Sequence, residues 1–136
     1  MVRPIVKDIM FLSRRSEPAT AEDLQIAKDL KDTLAAHRES CVGMAANMIG
    51  YSKNIIIVSL GFADLVMLNA KITKRSGSYE TQEGCLSLTG TRKTIRYQKI
   101  TVEYQDMQMK EHTQDFSGWS AQIIQHEIDH CSGVII

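Results

Sequence analysis

Residues 125–130 read Gln125-His126-Glu127-Ile128-Asp129-His130 and are the most informative stretch of this sequence. In a helix, four residues at about 100° each return a side chain to within roughly 40° of its starting direction. His126 and His130 therefore share one helical face and can bind the same metal ion. Glu127 lies one step round the helix, where its carboxylate can reach a water on that ion. The spacing indicates half of a hydrolytic metal site.

A catalytic metal centre of this kind usually has three protein ligands, so the two histidines need a partner. The sequence offers three cysteines. Cys131 directly follows His130 and faces about 100° away from it, which favours a packed side chain. Cys41 remains possible. Cys85 is favoured, because Gly84 allows a tight backbone path that would aim its thiolate.

Two motifs together carry a resemblance to a known family. Residues 83–87 read Glu-Gly-Cys-Leu-Ser and precede the His-Glu-x-x-His run. The pair resembles the second and third signatures of the peptide deformylases, hydrolases that remove the N-terminal formyl group from new polypeptides. Their first signature, G-x-G-x-A-A-x-Q, is similar to residues 41–48, although Cys41 replaces its first glycine and Met48 replaces its glutamine. Weaker similarity covers nearly the whole chain.

The resemblance implies an α+β fold in which β-strands wrap around a central metal-binding helix, with residues 1–136 forming one catalytic domain. It also implies that Cys85, His126 and His130 hold one divalent ion. In the family that ion is usually ferrous iron (Fe²⁺) in the cell, and Ni²⁺, Co²⁺ or, less well, Zn²⁺ also support the family's activity. Ligand chemistry alone leaves the ion open, because one cysteine with two histidines suits zinc equally.

The resemblance further implies the reaction and the substrate. Glu127 would take a proton from water and return it to the departing amine, while the backbone N–H of Leu86 would hydrogen-bond the oxyanion. Glu83 and Arg92 would position the cysteine loop, or form an ordinary surface ion pair. The implied substrate is an N-formylmethionyl peptide or nascent chain. Its binding pocket would be formed by Val42, Gly43, Met44, Met48 and Ile123.

Met48 changes the chemistry expected at this site. In the family, the glutamine at this position donates a hydrogen bond to the oxyanion, and a thioether cannot donate one. Loss of one such donor costs about 10²–10³ in turnover, roughly 3–4 kcal/mol. If the segment is extended, Asn47 faces the opposite side, so we do not expect its amide to replace the missing donor.

Three functions are compatible with these residues. The favoured one is a deformylase, or a deacylase that acts on another N-acyl peptide. The second is a non-catalytic metal or peptide binder that retains the fold, which Cys41 and Met48 favour. A general metalloprotease of the His-Glu-x-x-His kind is disfavoured, because only Cys131 and residues without ligand character follow His130.

Composition is typical of an ordinary intracellular domain. Hydrophobic residues make up 43% of the 136 residues, which suffices for a core without disulfides. Sixteen basic and sixteen acidic residues give a net charge of zero, so neither a nucleic acid nor a membrane partner is favoured. The cysteines have no disulfide-like spacing, and no signal-like apolar stretch opens the sequence. We expect a cytoplasmic monomer.

Sequence patterns also predict the main elements. The turn-rich, basic residues 71–78 indicate a mobile loop. Ser117 can cap a last helix that ends near Gly133 and packs its apolar residues, Trp119 among them, against other elements. The remaining predictions are a helix at 21–37 after a capping box at 20–23, buried strands at 54–60 and 65–69, and a half-buried strand at 100–105.

Overall fold

The computed structural model describes residues 1–85, 87 and 90–134. Its strands pair antiparallel with their neighbours in the chain and form one sheet of five strands in sequence order. Three helices accompany this sheet, which confirms the predicted α+β class. The elements are α1 (Ile9–Leu12), α2 (Leu24–Ala36), β1 (Gly43–Ala45), β2 (Ile55–Ser59), β3 (Asp64–Gly84), β4 (Thr91–Gln105), β5 (Glu111–Ser117) and α3 (Gly118–Cys131).

β2 is buried on both faces because the sheet lies between α2 and α3 at this point. Ile55 and Ile57 belong to the core cluster on the α2 side, whereas Ile56 and Val58 share a cluster with Ile124 of α3. Successive strand residues point to opposite faces, so a continuous apolar run suits a strand covered on both sides. The strand predicted at 54–60 is confirmed. Its face with Ile56 and Val58 packs against α3 and so positions that helix.

The first predicted helix is present in two parts. A single 3-10 turn at Ala21–Asp23 leads directly into α2. The Thr20 N–H donates to Asp23 Oδ2 (2.9 Å), and the Thr20 side chain accepts from the Glu22 N–H (3.3 Å), so the predicted capping box is formed. None of the described helices is long and apolar enough to cross a membrane.

The loop predicted at residues 71–78 is wrong, because these residues form the middle of β3. They pair with β4 from Lys71 opposite Glu103 to Ser78 opposite Tyr97. Their side chains are mostly exposed, which explains the polar composition that suggested a loop. The hydrogen bonds of an antiparallel sheet are made by backbone groups, so polar side chains do not prevent pairing. One face of such a sheet can also be exposed to solvent. The strands predicted at 65–69 and 100–105 are parts of this longer hairpin.

α3 is fixed at its end by an earlier part of the chain. Its N-cap residue is Ser117, as predicted, although the serine side chain makes no capping hydrogen bond. After the last turn, Gly133 has a φ of +77°, and a Cβ there would lie 2.3 Å from Ser13 O. The Ser16 N–H donates to Cys131 O (2.7 Å). Residues 13–16 therefore close the last turn of α3, and only glycine fits at position 133.

Candidate metal centre

The two histidines of α3 lie side by side in the interior. Their Nε2 atoms are 3.0 Å apart and their rings meet edge to face. Both side chains are buried, as the inward direction of this helical face requires. Burial and the neighbouring His126 lower the pKa of His130 to about 3. That imidazole is therefore neutral, which is the form that binds a metal.

Cys85 follows the end of β3 and completes the group. Its Sγ and one nitrogen from each of His126 and His130 all lie within 4.8 Å of one another. The alternative, Cys41, donates its thiol to Gly43 O (2.8 Å), and burial raises its pKa to about 11. A raised pKa disfavours the thiolate that a metal needs. The structure thus brings together the three residues that the sequence analysis grouped and leaves Cys41 outside that group.

A buried ion-pair network fixes the ring of His126. Glu83 Oε1 lies 2.8 Å from His126 Nδ1, so Nδ1 donates to the carboxylate and Nε2 is left to face a metal. Arg96 donates to both oxygens of Glu83 and to Asp129 Oδ2 at 2.6–3.1 Å. Gln122 Nε2 donates to Glu83 Oε2 (2.9 Å). Burial opposes ionisation of Glu83, but these hydrogen bonds outweigh it and lower its pKa to about 2.

Arg96 is a residue of the site that the sequence analysis missed. Its side chain is buried and reaches the Glu83 carboxylate, whereas Arg92 is exposed on β4 opposite Glu83. The sequence contained a signal for this. Ile100 and Val102 mark the buried face of β4, and continuing that alternation back along the strand places Arg96 on the same face. The positioning of the cysteine loop by Arg92 stays a prediction, because part of that loop lies outside the described residues.

Glu127 is buried next to the metal-binding group. Its side-chain Oε1 has no hydrogen-bond partner among the described residues. Burial raises its pKa to about 7. Gly43 makes room for it, since a Cβ at that position would lie 3.0 Å from Glu127 Oε2 and 2.9 Å from Ile123 Cγ2. A buried carboxyl group with an unused oxygen and a pKa near neutrality can both accept and return a proton.

Met48 lies against the cysteine of this group. Its Sδ is 4.0 Å from Cys85 Sγ. The surrounding segment, Ala46–Ile49, is a 3-10 turn and not the extended chain assumed from the sequence. Asn47 nevertheless points elsewhere, because its Nδ2 donates to His130 O (2.8 Å). The expectation that Asn47 does not replace the missing donor therefore holds, although the reason is this hydrogen bond.

A cavity of about 450 Å³ opens onto the group. Met44 does not line it among the described residues, so its assignment to the pocket is corrected. Because Gly43 faces α3, its neighbour on β1 points to the opposite face of the sheet, and Met44 is fully buried in the core on the α2 side. The other predicted pocket residues do line the cavity, namely Val42, Gly43, Met48 and Ile123.

One further residue differs from the sequence-based expectations, and a second cannot be compared with them. Trp119 was placed among the packed residues of α3, but its side chain is 62% exposed. It lies in the first turn of α3, where it also lines the cavity. Leu86, whose backbone N–H was assigned to the oxyanion, lies outside the described residues.

Comparisons with known proteins agree with this geometry. The family model described as polypeptide deformylase matches residues 3–136. A peptide deformylase of Clostridium beijerinckii is 52% identical over 136 residues, which cover all of both chains. The crystal structure of a peptide deformylase from Thermus thermophilus is 33% identical with a TM-score of 0.88, covering 98% of this chain and 83% of that one. A Met-Ala-Ser-bound class I type b peptide deformylase from Acinetobacter baumannii is 28% identical with a TM-score of 0.90, covering 99% and 97%. This chain belongs to the peptide deformylase family.

Proposed function

We propose that this chain is a metal-dependent hydrolase that removes the N-formyl group from the N-terminal methionine of newly made proteins. Membership of the peptide deformylase family supports the reaction class. The observation that carries the proposal is the buried Glu127 carboxyl group beside the group formed by Cys85, His126 and His130; one of its oxygens has no hydrogen-bond partner among the described residues.

Cys85, His126 and His130 would hold one divalent ion. One thiolate and two imidazoles make a three-ligand set that suits a catalytic centre, and their donor atoms are close enough to share an ion. We propose Fe²⁺ as the ion in the cell, as in the family, with Zn²⁺, Ni²⁺ or Co²⁺ able to use the same ligands. When bound, such an ion makes a nearby water more acidic and polarises the formyl carbonyl.

Glu127 is proposed to carry the proton through the reaction. Its Oε1, which has no partner in the described part of the chain, accepts a proton from the water that attacks the formyl carbon. The carboxyl group then donates this proton to the amide nitrogen while the C–N bond breaks. The products are formate and a free N-terminal amine, and one water is consumed.

We propose that the oxyanion is held by the backbone N–H of Leu86, as the family resemblance implies. Met48 lines the cavity but offers only a thioether, which cannot donate a hydrogen bond. The reaction is therefore expected to run about 10²–10³-fold slower than in a relative with glutamine at this position.

We propose that a formylated peptide inserts its methionine side chain between Val42, Gly43 and Ile123. These residues line one cavity together with Glu127, so a formyl group at that end of the peptide lies near the proton carrier. Trp119, exposed and on the same wall, is available to contact the following residues of the peptide. The related Acinetobacter baumannii structure holds Met-Ala-Ser. Cys85, His126 and His130 bring their ligand atoms within 4.8 Å of one another without help from a second subunit, so we propose a monomer, and the substrate places it in the cytoplasm.

A non-catalytic metal or peptide binder is the second candidate. The observation that favours it is Met48, which sits against Cys85 where the family has its glutamine donor. A deacylase for another N-acyl peptide uses the same residues and differs only in the acyl group that it accepts.

The test is formate release from a formyl-methionyl peptide by iron-loaded protein prepared without oxygen. We expect slow release that falls by about 10²-fold or more in Glu127→Gln, which keeps the size of the side chain but cannot act as a base. Glu103→Gln, at an exposed position of β4, is the matched control and should retain the wild-type rate.

Met48→Gln is the second arm of this test. It should raise the rate by about 10²–10³ because it restores a donor. Absence of formate from both the wild type and Met48→Gln would favour the binder, whereas faster release of another acyl group would favour the deacylase.

A further inference from the structure

The candidate metal centre has a second sulfur atom next to its cysteine. Met48 is buried, lines the cavity, and has its Sδ 4.0 Å from Cys85 Sγ. Two sulfur atoms bound to one tetrahedral ion at about 2.3 Å each lie about 3.8 Å apart. The observed separation is therefore close to that of two sulfur ligands on a shared ion.

Hydrogen bonds fix the turn that carries this thioether. Met48 O accepts from the Val6 N–H (2.7 Å). The neighbouring Asn47 donates to His130 O (2.8 Å), which ties the turn to the part of α3 that carries a proposed ligand. Gly50 ends the turn with a φ of +98°. Met48 is thus held beside the proposed ligands by both its own backbone and its neighbour's side chain.

The donor chemistry follows from this arrangement. Cys85 and Met48 offer a thiolate and a thioether, and His126 and His130 offer two imidazoles. A set of two sulfur and two nitrogen donors suits both Zn²⁺ and Cu(I), and of the two the uncharged, soft thioether adds more to the binding of the softer ion, Cu(I). A glutamine at position 48 would offer only an amide, which is a harder ligand.

We propose that Met48 is a fourth, weak ligand of the ion bound by Cys85, His126 and His130, and that it shifts the preference of the site towards soft ions such as Cu(I). The inference rests on the metal centre of the proposed function and adds a ligand to it. A thioether on the ion also competes with water for the open position, so it slows turnover independently of the missing oxyanion donor.

The test loads the full chain with one equivalent of Cu(I) or Zn²⁺ without oxygen. X-ray absorption counts the sulfur ligands of Cu(I), and competition with a coloured chelator gives both affinities. Met48→Leu removes the sulfur at nearly constant volume. Met44→Leu is the matched control, because Met44 is equally buried but, among the described residues, does not line the cavity.

We expect two sulfur ligands in the wild type and in Met44→Leu, and one in Met48→Leu. The Cu(I) affinity of Met48→Leu should fall by about tenfold or more, with a smaller change for Zn²⁺. A single sulfur in the wild type, or an unchanged Cu(I) affinity in Met48→Leu, would overturn the proposal.

Cys85→Ser separates this inference from the metal centre on which it rests. It should weaken both ions, and if it weakens neither, the metal centre itself is wrong. Two sulfur ligands together with no formate release under any metal would support the fourth ligand and count against the hydrolase.

Discussion

Arg96→Met tests whether the buried ion-pair network holds the metal-binding helix. In the wild type Arg96 is 3% exposed, and its guanidinium contacts Glu83 through Nε and Nη2 at 2.6–3.1 Å. Its Nη1 contacts Asp129 at 2.6 Å. Methionine resembles the arginine stem but donates no hydrogen bond. The variant leaves the Glu83 carboxylate buried, and His126 and Gln122 are its remaining donors among the described residues.

The expected loss of unfolding free energy follows from the burial of the ion pair between Arg96 and Glu83. Removing one partner of a buried ion pair costs about 3–5 kcal/mol, because the other charge stays uncompensated. A domain of this size has a free energy of unfolding of about 5–15 kcal/mol, so Arg96→Met should lose a large fraction of it. Because Glu83 also orients His126, the Zn²⁺ affinity should fall by about 10–100-fold.

Urea unfolding at pH 7, followed by circular dichroism, measures the first effect, and chelator competition measures the second. The matched control is Arg38→Met, which breaks the exposed pair of Arg38 with Asp64 (2.7 and 2.8 Å) and should change little. An Arg96→Met protein that is no less stable than Arg38→Met would show that the network does not hold the helix.

Two further substitutions test the site and the fold. Gly43→Ala should displace Glu127, because the new Cβ would lie 3.0 Å from its Oε2; we expect a loss of about 1–3 kcal/mol in unfolding free energy and slower formate release, and an unchanged rate would contradict the contact. Burial opposes ionisation of Asp29, but hydrogen bonds from Gln25, the N-terminal amine and Arg3 outweigh it and hold its pKa below the ordinary value of 3.8. Its stabilisation is therefore complete above about pH 3.8 and is lost as the pH falls through the folded-state pKa. Urea unfolding should show Asp29→Asn to be less stable at pH 7 and less sensitive to acid, and parallel acid curves for the two proteins would disprove this.

The parts of the fold and site that could be predicted have local signals. His126 and His130 share a face because of helical geometry alone. The four-residue apolar run in β2 predicts a strand that is packed against other elements on both faces. The capping box before α2 likewise depends only on residues that are close in the sequence. Cys85 needed the family resemblance as well, since nothing in its local spacing relates it to α3.

The errors arise where a residue's role depends on a distant partner. Residues 71–78 have the polar composition of a loop, and they form a strand because their backbone groups pair with β4. Arg96 becomes important only because Glu83 and Asp129 converge on it from two other elements. Met44 differs for a simpler reason. It alternates with Gly43 along β1, so only one of these two neighbours can face the cavity.

The closure of α3 by residues 13–16 links metal binding to the packing of a distant segment. The Ser16 N–H and the Gly133 contact join segments that are far apart in the chain, and they complete the last turn of the helix, which carries His130. Because closing so long a loop is entropically costly, this contact depends on the rest of the fold being in place. Binding of an ion by His130 is therefore expected to be coupled to folding of the whole domain and not of α3 alone.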